Sequence, residues 1–369
     1  MAITQTNGSS AANGGPHLAK LDASKLIITP AKTLKPIPPS EELRFGQTVT
    51  DHMLIATFDP VNGWSAPEIK PYGPLSLDPA SSCFQYATNV FEGMKAYIGP
   101  DGKPRLFRPE MNIARLTRSS GRLSLPPFNE AALLTLIKKL VAQESRWIPA
   151  LRGYSLYIRP TIIGTRASLG VGPSDHSILY VILAPTGPYF RTGARPVSLL
   201  AVSDSVRAWP GGTGGYKLAL NYAPTFKPQA AAAELGAPMA ANLDVLTPPL
   251  DGTILPGVTR DSCLALANAH PSRTILPHLP STVRLHAQEY NLTMSELATW
   301  SAEGRLLEAF TVGTAAIVAS VGRIGYQGKD IVLPEHEGGM GPVGRALFER
   351  ILDIQMGKVE WEGWSEPCE

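Results

Sequence analysis

The sequence predicts an α+β protein of two domains, on three observations. Its 369 residues are enough for two domains of ordinary size. Its content of 44% hydrophobic and 17% charged residues is typical of a globular protein with a large core. Strand-like runs dominate the first part of the chain, and helix-like patterns recur later. We therefore expect a disordered tail at 1–25, a small domain at 26–185, a linker at 186–205 and a large domain at 206–369.

Four segments of the first part have strand patterns. Phe45–Phe58 and Phe84–Ile98 alternate apolar and polar residues, and Ser155–Ile163 also reads as a strand. Ser177–Leu183 is a continuous apolar run, which predicts a strand buried on both faces. The segment Pro185–Pro196 is rich in proline and glycine and predicts the connector between the domains.

Three helices can be placed from their ends. Asn129 can cap a helix whose apolar residues recur at helical spacing, namely Leu133, Leu136, Ile137, Leu140 and Val141. Thr293 and Glu296 form a possible capping box for a later helix. The helical pattern of Val343–Met356 ends at Gly357, a residue type that favours helix termination.

Composition argues against several classes of partner. The 33 basic and 31 acidic residues leave a net charge of +2, so neither nucleic acid nor a membrane surface is expected. No apolar run is long enough to span a bilayer. The three cysteines lack the spacing of zinc ligands and fit a reducing compartment, so no metal site is expected. Cys368, close to the end of the chain, is expected to be exposed.

The first residues are rich in Ser, Asn, Gly and Ala and lack the apolar core of a secretory signal. Residues 2–19 contain no arginine, which argues against a mitochondrial presequence. We therefore expect a cytoplasmic location, with a mitochondrial one as the alternative.

The run from Gly211 to Thr225 places Lys217 behind a glycine-rich turn and Tyr222 five residues further on. A lysine that attacks carbonyls has to be shielded from water so that its amine is neutral part of the time. The glycines would let the backbone pass close to a bulky ligand. A solvated lysine on a surface loop is the plain alternative. A nucleotide-binding P-loop is a poor match, because Tyr216 precedes the lysine and Leu218 follows it.

Other segments extend this pattern along the chain. They include Phe91-Glu92-Gly93-Met94-Lys95-Ala96, Tyr157-Ile158-Arg159-Pro160, the stretch from Thr247 to Thr259, and Gly313-Thr314-Ala315. With the run around Lys217, these segments resemble the branched-chain amino-acid aminotransferases, which are class-IV, fold-type IV enzymes that use pyridoxal 5′-phosphate. The resemblance runs from about Phe45 to Trp364. It implies a small N-terminal α/β domain, a larger C-terminal β-barrel-like domain with helices, and a homodimer.

The resemblance assigns the cofactor site. Lys217 matches the catalytic lysine that carries the cofactor as a Schiff base, and Tyr222 matches the tyrosine that contacts the ring oxygen. The phosphate would be held by an arginine, by the start of a helix and by a turn, which correspond to Arg115, Val258, Thr259 and Thr314. A buried tyrosine with a satisfied hydroxyl is the structural alternative for Tyr222.

The resemblance also assigns the substrate side. Phe45, Tyr86 and Phe91 match the aromatic lining of the pocket, and Tyr157 and Arg159 match the side that faces the substrate carboxylate. Thr314 and Ala315 complete the set. An aromatic pocket with a few fixed polar groups suits a branched aliphatic side chain beside a carboxylate. Without the resemblance, these aromatic residues would be read as core.

The chain departs from the family after Lys217. A predicted helix at Pro228–Gly236 is followed almost at once by a predicted strand at Leu243–Thr247, whereas the family has two more strands between them. The family's glutamate that bonds the pyridine nitrogen lies in that missing segment, near position 236–243 of this chain. Ala219 and Leu220 replace two glycines. A mis-spliced gene model, a damaged paralogue and a paralogue that recruits another carboxylate all remain open.

These observations predict an aminotransferase that moves an amino group between a branched-chain or similar aliphatic L-amino acid and 2-oxoglutarate, in a possible specialised biosynthetic role. The alternative is a catalytically impaired pseudo-aminotransferase. A third possibility keeps the fold and changes the reaction or the amino acid. The missing carboxylate keeps these alternatives open, since it would stabilise the electron-withdrawing form of the cofactor ring.

Overall fold

The computed structural model describes residues 18–189, 196–201, 206–225, 243–273, 275–279 and 283–368. Its helices are α1 Ser82–Tyr86, α2 Pro109–Arg122, α3 Glu130–Gln143, α4 Val258–Arg273, α5 Met294–Ala302 and α6 Pro342–Gln355. Its strands up to residue 200 are β1 Ile27–Ile28, β2 His52–Asp59, β3 Gly63–Trp64, β4 Glu68–Pro71, β5 Asn89–Phe91, β6 Met94–Ile98, β7 Pro104–Phe107, β8 Ser155–Gly164, β9 Ser177–Thr186 and β10 Val197–Leu200. The later strands are β11 Leu243–Thr247, β12 Leu285–Glu289, β13 Ala309–Gly313, β14 Ile317–Tyr326, β15 Lys329–Val332 and β16 Ser365–Pro367.

A ten-stranded sheet is the largest unit of the fold. Its order is β1-β4-β2-β9-β8-β6-β7-β16, with β3 paired to β2 and β5 paired to β8. The long antiparallel pair β8–β9 lies at its centre, where ten residues of each strand are in register. Helices α2 and α3 contribute fully buried side chains to the core that backs this sheet, among them Leu116, Leu133, Leu136 and Leu140.

Two smaller sheets follow along the chain. Strand β14 pairs with β13 and β15 in antiparallel fashion and with β10 in parallel fashion. Strands β11 and β12 form a parallel pair of five residues each. A second core cluster joins α4, β12 and α6, with Leu266, Leu347 and Ile351 fully buried. The helix α6 thus packs beside the β13–β14 hairpin, which carries the turn 314–316.

Most of the predicted elements are confirmed. Asn129 caps α3 by accepting a hydrogen bond from the Ala132 N–H, and the Thr293–Glu296 capping box is complete at α5. Gly357 has a φ of 65° just after α6, a conformation that few other residue types adopt. Strand β11 occupies the predicted range, whereas the predicted helix at 228–236 lies outside the described residues.

Three expectations about local structure are wrong. The strand predicted from Phe45 begins only at His52, because residues 45–47 form a turn. Phe84 belongs to the short helix α1, so the strand predicted there begins at Asn89. Strand β9 alternates buried and half-buried residues over Ser177–Leu183 instead of being buried on both faces. Short apolar runs do not distinguish these cases, since tertiary packing decides them.

Cys368 is buried and not exposed. It follows β16, which pairs with β7 at the edge of the large sheet, and its N–H donates to the Pro104 carbonyl. All three cysteines are free and buried. Burial raises the pKa of Cys263 and of Cys368 to about 12 in each case, so neither thiol is a thiolate at neutral pH.

Candidate active site

Lys217 lies where the glycine-rich turn meets the large sheet. Its N–H donates to Ser119 Oγ of α2 at 2.9 Å, and its carbonyl accepts from the Phe91 N–H at 3.2 Å. The next residue, Leu218, is fully buried and forms an isolated bridge with Val90 of β5. The backbone of the lysine is therefore fixed between a strand and a helix, which argues against the reading of a solvated surface loop.

Two glycines before Lys217 lie directly against the backbone of another segment. A Cβ on Gly214 would lie 2.4 Å from the Thr253 carbonyl oxygen, and one on Gly215 would lie 3.0 Å from that of Gly252. These glycines therefore allow two protein backbones to pack together.

The amine of Lys217 faces aromatic side chains. Its Nζ donates to the Tyr222 hydroxyl at 3.1 Å and lies 5.0 Å from the centre of the Phe91 ring. Phe91 and Tyr222 contact each other, with ring centres 5.2 Å apart. Lys217 is partly buried, and the Tyr222 and Phe91 side chains lie on one side of its amine.

Arg115 lies on α2, one turn before the Ser119 that binds the backbone of Lys217, and makes a buried ion pair. Its Nε and Nη2 donate to the two carboxylate oxygens of Glu92 at 2.6 and 2.8 Å. Glu92 is fully buried and also accepts from Asn112 Nδ2 at 2.9 Å. Arg115 Nη1 donates to the Pro256 carbonyl at 2.9 Å. Because a guanidinium has five N–H donors, two remain for an anion.

A small cavity brings together residues that are far apart in sequence. Val258 and Thr259, at the start of α4, line it, and Thr314 lines it from the β13–β14 turn. Asn112 of α2 and Lys95 of β6 are also part of its lining. The start of a 16-residue helix and two threonines are groups that favour an anion, and the cavity between them, about 10 Å³, has room for one water molecule.

Tyr157 and Arg159 lie close together on β8. Arg159 Nη2 donates to the Tyr157 hydroxyl at 3.1 Å, and the guanidinium lies 4.6 Å from the Phe91 ring centre. Burial raises the pKa of the Tyr157 hydroxyl, which therefore stays protonated. A Cβ on Gly93 would clash with that hydroxyl at 2.1 Å, so the glycine makes room for the tyrosine.

Phe45 reaches the site, whereas Tyr86 stands apart. The Phe45 ring packs edge-on against Tyr157 at 4.7 Å and against Tyr189 at 5.5 Å. Tyr86 donates its hydroxyl to the Leu169 carbonyl, and the described part of the chain shows no contact that joins it to Lys217 or Tyr157. Ala315 is tied to the large sheet, because its carbonyl accepts from Lys95 Nζ at 2.8 Å.

Sequence reasoning missed several residues of this site. Glu92 and Lys95 stand in the Phe91–Ala96 segment, which was noted without a role for either of them. Asn112 and Ser119 share one face of α2 with Arg115, and a helical spacing of three and four residues would have pointed to them. Tyr189 has no sequence signal of its own, since only the return of β9 brings it to Phe45.

Comparisons with known proteins identify the family of this chain. Residues 89–244 match the family model for amino-transferase class IV. The mitochondrial branched-chain-amino-acid aminotransferase of Schizosaccharomyces pombe is 44% identical over 94% of this chain and 86% of its own length. The cytosolic one of Saccharomyces cerevisiae is 43% identical over 94% of this chain and 98% of its own length. The chain therefore belongs to the class IV aminotransferases, as a branched-chain-amino-acid aminotransferase-like enzyme.

A solved structure confirms the fold. The branched-chain aminotransferase of the thermophilic archaeon Thermoproteus uzoniensis, solved with norvaline, has a TM-score of 0.64 and 21% identity. The match covers 86% of this chain and all of that chain. The fold-type IV architecture expected from the sequence is thus confirmed. No helix among the described residues is long and apolar enough to cross a membrane, and none of their acidic, His or Cys groups forms a metal-binding cluster.

The alignment with the Schizosaccharomyces pombe relative contains gaps in this chain. It spans 375 positions and takes in 94% of the 369 residues, which is about 347, so about 28 positions have no residue of this chain opposite them.

Proposed function

We propose that the chain is a pyridoxal 5′-phosphate-dependent aminotransferase that moves an amino group between a branched-chain or similar aliphatic L-amino acid and 2-oxoglutarate. The observation that carries the proposal is the placement of Lys217. Its amine lies 3.1 Å from the Tyr222 hydroxyl and against Phe91, and its backbone is bound to the helix that carries Arg115. The names of the relatives support the amino-acid class.

The residues present fit the cofactor. Arg115 keeps two N–H donors beyond its bonds to Glu92 and Pro256, and Thr259 and Thr314 bring hydroxyls to one cavity with the Val258 end of α4. We propose that these residues hold the phosphate and that Tyr222 holds the ring oxygen. When bound, pyridoxal 5′-phosphate supplies a reactive carbonyl and a ring that withdraws electrons from the substrate Cα.

Lys217 then acts as the proton carrier. We propose that Lys217 Nζ would take up the proton released from the substrate Cα and would give a proton back later in the reaction. The Tyr222 hydroxyl, which accepts a hydrogen bond from this amine, orients it. The backbone bonds of Lys217 to Ser119 and Phe91 hold the stem of the side chain, so that only its far end has to move.

The substrate end is formed by β8 and by aromatic rings. We propose that Arg159 and Tyr157 bind the substrate carboxylate, together with the backbone of Thr314 and Ala315. Phe45 and Phe91 would line the aliphatic side chain, since both rings border the Tyr157–Arg159 pair. Tyr86 is proposed as a further lining residue on the strength of the resemblance alone.

The test uses the visible absorbance of the bound cofactor. The purified protein is loaded with pyridoxal 5′-phosphate, and its spectrum is recorded before and after leucine and then 2-oxoglutarate are added. We expect leucine to shift the band and 2-oxoglutarate to restore it, and we expect glutamate as the product. A spectrum that leucine leaves unchanged would refute the proposal.

A second candidate is a catalytically impaired pseudo-aminotransferase or a mis-spliced paralogue. The short spacing between the predicted helix Pro228–Gly236 and the strand Leu243–Thr247 favours it, because the family segment expected between them carries the carboxylate that keeps the pyridine nitrogen protonated. This candidate predicts that the cofactor binds and that leucine changes its spectrum slowly or not at all.

Four further expectations remain proposals. We propose that the domains divide at 26–185 and 206–369 with a linker at 186–205, and that the chain forms a homodimer. We also propose a cytoplasmic location, while the relatives include cytosolic and mitochondrial enzymes. A role in a specialised biosynthetic pathway is the last of these proposals.

A further inference from the structure

Residues 35–51 form a loop whose two ends are bonded to each other. Lys35 donates its N–H to Asp51 Oδ1 at 2.8 Å. Its Nζ donates to the Val49 carbonyl at 3.2 Å and to the Thr50 carbonyl at 2.7 Å. One lysine therefore closes the loop at its base with three hydrogen bonds, which restrict the conformations open to the chain between them.

The other oxygen of the Asp51 carboxylate binds the turn that follows α3. Asp51 is 3% exposed, and its Oδ2 accepts from Trp147 Nε1 at 2.7 Å and from Arg146 Nη2 at 2.6 Å. Arg146 Nη2 also donates to the Lys35 carbonyl at 2.8 Å. Burial by itself would raise the pKa of the Asp51 carboxyl, but the hydrogen bonds from Lys35, Trp147 and Arg146 outweigh it and hold the pKa below its usual value. A charged, fully bonded carboxylate therefore joins the base of the loop to α3.

The next residue, His52, holds the chain that leads into the loop. The Ala31 N–H donates to His52 Nε2 at 2.8 Å, so this nitrogen carries no proton and the ring proton lies on Nδ1. Nδ1 donates to Glu144 Oε1 at 2.6 Å, and Glu144 Oε2 accepts from the Asp51 N–H at 2.7 Å. His52 and Glu144 are both buried. Buried polar groups thus fix the chain on either side of Lys35.

The tip of loop 35–51 has much less support than its base. Between the base and the tip, Leu43 is buried and the other residues are half-buried or exposed. Phe45 itself is 38% exposed, and its ring packs on Tyr157 and Tyr189 at centre distances of 4.7 and 5.5 Å. Few buried apolar contacts hold the tip, so the place of the Phe45 ring depends on how the loop is held at its base.

The base and the tip lie beside the same part of the large sheet. The Thr50 N–H donates to the Leu183 carbonyl of β9 at 3.1 Å. Ala184, the next residue of β9, is in register with Tyr157 of β8, on which the Phe45 ring packs. A displacement of the base along β9 would therefore move the ring relative to Tyr157.

We propose that Lys35 and Asp51 are positioning residues that keep the Phe45 ring in place and thereby set how well the site accepts an aliphatic side chain. The inference rests on the proposed function, which takes Phe45 as a residue that contacts the side chain of the substrate. The bonds of Lys35 and Asp51 run to the base of the loop and to the turn after α3. Their loss should therefore affect the aliphatic end of the substrate and spare the end that carries the carboxylate.

The first measurement compares two carboxylates on the protein loaded with pyridoxal 5′-phosphate. 4-Methylpentanoate has the carboxylate and the side chain of leucine, whereas acetate has the carboxylate alone. Lys35→Met removes the two bonds of Nζ and should weaken 4-methylpentanoate by about 3- to 10-fold and acetate by less than about twofold. Lys35→Arg keeps donors for the two carbonyls and should retain most of the affinity. Lys32→Met, at an exposed position of the same segment, is the matched control and should change neither affinity.

A double-mutant cycle tests whether the effect passes through Phe45. Phe45→Ala removes the ring and should weaken 4-methylpentanoate by about 10-fold. If Lys35 acts through the ring, Lys35→Met should cause less than about twofold further loss in the Phe45→Ala background. A merely structural role would give the same loss in both backgrounds, and that result would overturn the proposal.

The second measurement needs no cofactor. Amide hydrogen exchange of residues 43–47 in the cofactor-free chain reports how often the tip opens. Lys35→Met and Asp51→Asn should each raise this exchange by about 3- to 10-fold, and Lys32→Met should leave it unchanged. Exchange in α2, followed in the same samples, separates local opening of the loop from a general loss of stability, because only the latter would raise both.

The outcomes are distinguishable from those of the proposed function. If the wild type binds neither pyridoxal 5′-phosphate nor 4-methylpentanoate, the proposed function fails, and the exchange measurement still decides whether the two residues hold the tip. If the wild type binds both, and Lys35→Met matches it within about twofold for 4-methylpentanoate, the role of Lys35 is overturned. Unchanged exchange of the tip in Asp51→Asn overturns the role of Asp51.

Discussion

The two sides of the candidate active site differ in how they are supported. The sheet side consists of β5, β6, β8 and α2, where Glu92 and Arg115 are buried and backed by core residues such as Leu116. The turn side consists of the start of α4 and the turn 314–316, where Thr314 is only half-buried. The sheet side and the start of α4 each have a core of their own, and bonds that reach across from the sheet side also hold the turn side.

Three residues make those bonds. Arg115 donates to the Pro256 carbonyl, Lys95 to the Ala315 carbonyl, and Arg108 to Ser262 Oγ at 2.8 Å. All three are cations of the sheet side, and two of them end on backbone carbonyls. In the candidate site, cations of the sheet side therefore bind backbone and side-chain oxygens of the turn side.

The largest effect is expected from Lys217→Ala, which removes the reacting group and leaves both sides intact. The variant should lose all turnover of leucine and the shifted absorbance of the covalently held cofactor. Lys139→Ala, on an exposed helix face, should leave both unchanged. An unaltered cofactor spectrum in Lys217→Ala would show that the lysine has been misassigned.

Arg115→Ala should damage both sides at once. It removes a side chain that we propose to bind the cofactor phosphate, so the affinity for the cofactor should fall by about 10- to 100-fold. It also leaves the buried Glu92 carboxylate unpaired, which should lower the free energy of unfolding by about 3–5 kcal/mol.

The matched control is Arg152→Ala, which removes an ion pair to Asp353 in which the arginine side chain is 43% exposed. This variant should lose about 1 kcal/mol of unfolding free energy, because solvent screens that ion pair. Cofactor affinity and urea denaturation are measured for both variants. Equal losses of stability in the two arginine variants would contradict the distinction between buried and exposed bridges.

Two core truncations compare how much buried side chains stabilise two regions of the protein. Leu136→Ala in α3 removes a fully buried side chain behind the sheet side and should cost about 2–5 kcal/mol of unfolding free energy. Val245→Ala in β11 removes a half-buried side chain from the two-stranded sheet and should cost about 1 kcal/mol. Thermal and urea denaturation measure both values. A larger cost at Val245 would mean that the two-stranded sheet β11–β12 is more tightly packed than the core behind the sheet side.

The smallest structural effect is expected from a graft. Inserting the two-strand segment of a close relative between Gly236 and Leu243 should add strand partners and raise the free energy of unfolding by about 1 kcal/mol or more. It should also raise turnover of leucine, because it restores the carboxylate that bonds the ring nitrogen. If the original chain turns over leucine as fast as the graft, another group fills that role.

Local patterns correctly predicted the helices whose ends are set by a capping or terminating residue. The capping residues Asn129 and Thr293 and the terminating Gly357 each act on the backbone beside them, so neighbours in sequence suffice to place them. The strand predicted from Phe45 failed because its aromatic residue packs against Tyr157 and Tyr189, which are distant in sequence. Alternation alone does not distinguish a strand from a loop that packs on the core.

For the site, the sequence by itself determined which residue types carry the chemistry. Lys217, Tyr222, Arg115 and Arg159 stand in local segments whose composition and order suffice to resemble the family. Only the tertiary structure decided the partners of these residues. It joined Arg115 to Glu92, Lys95 to Ala315 and Gly214 to Thr253, because buried charges and close backbones need neighbours that only the folded chain supplies.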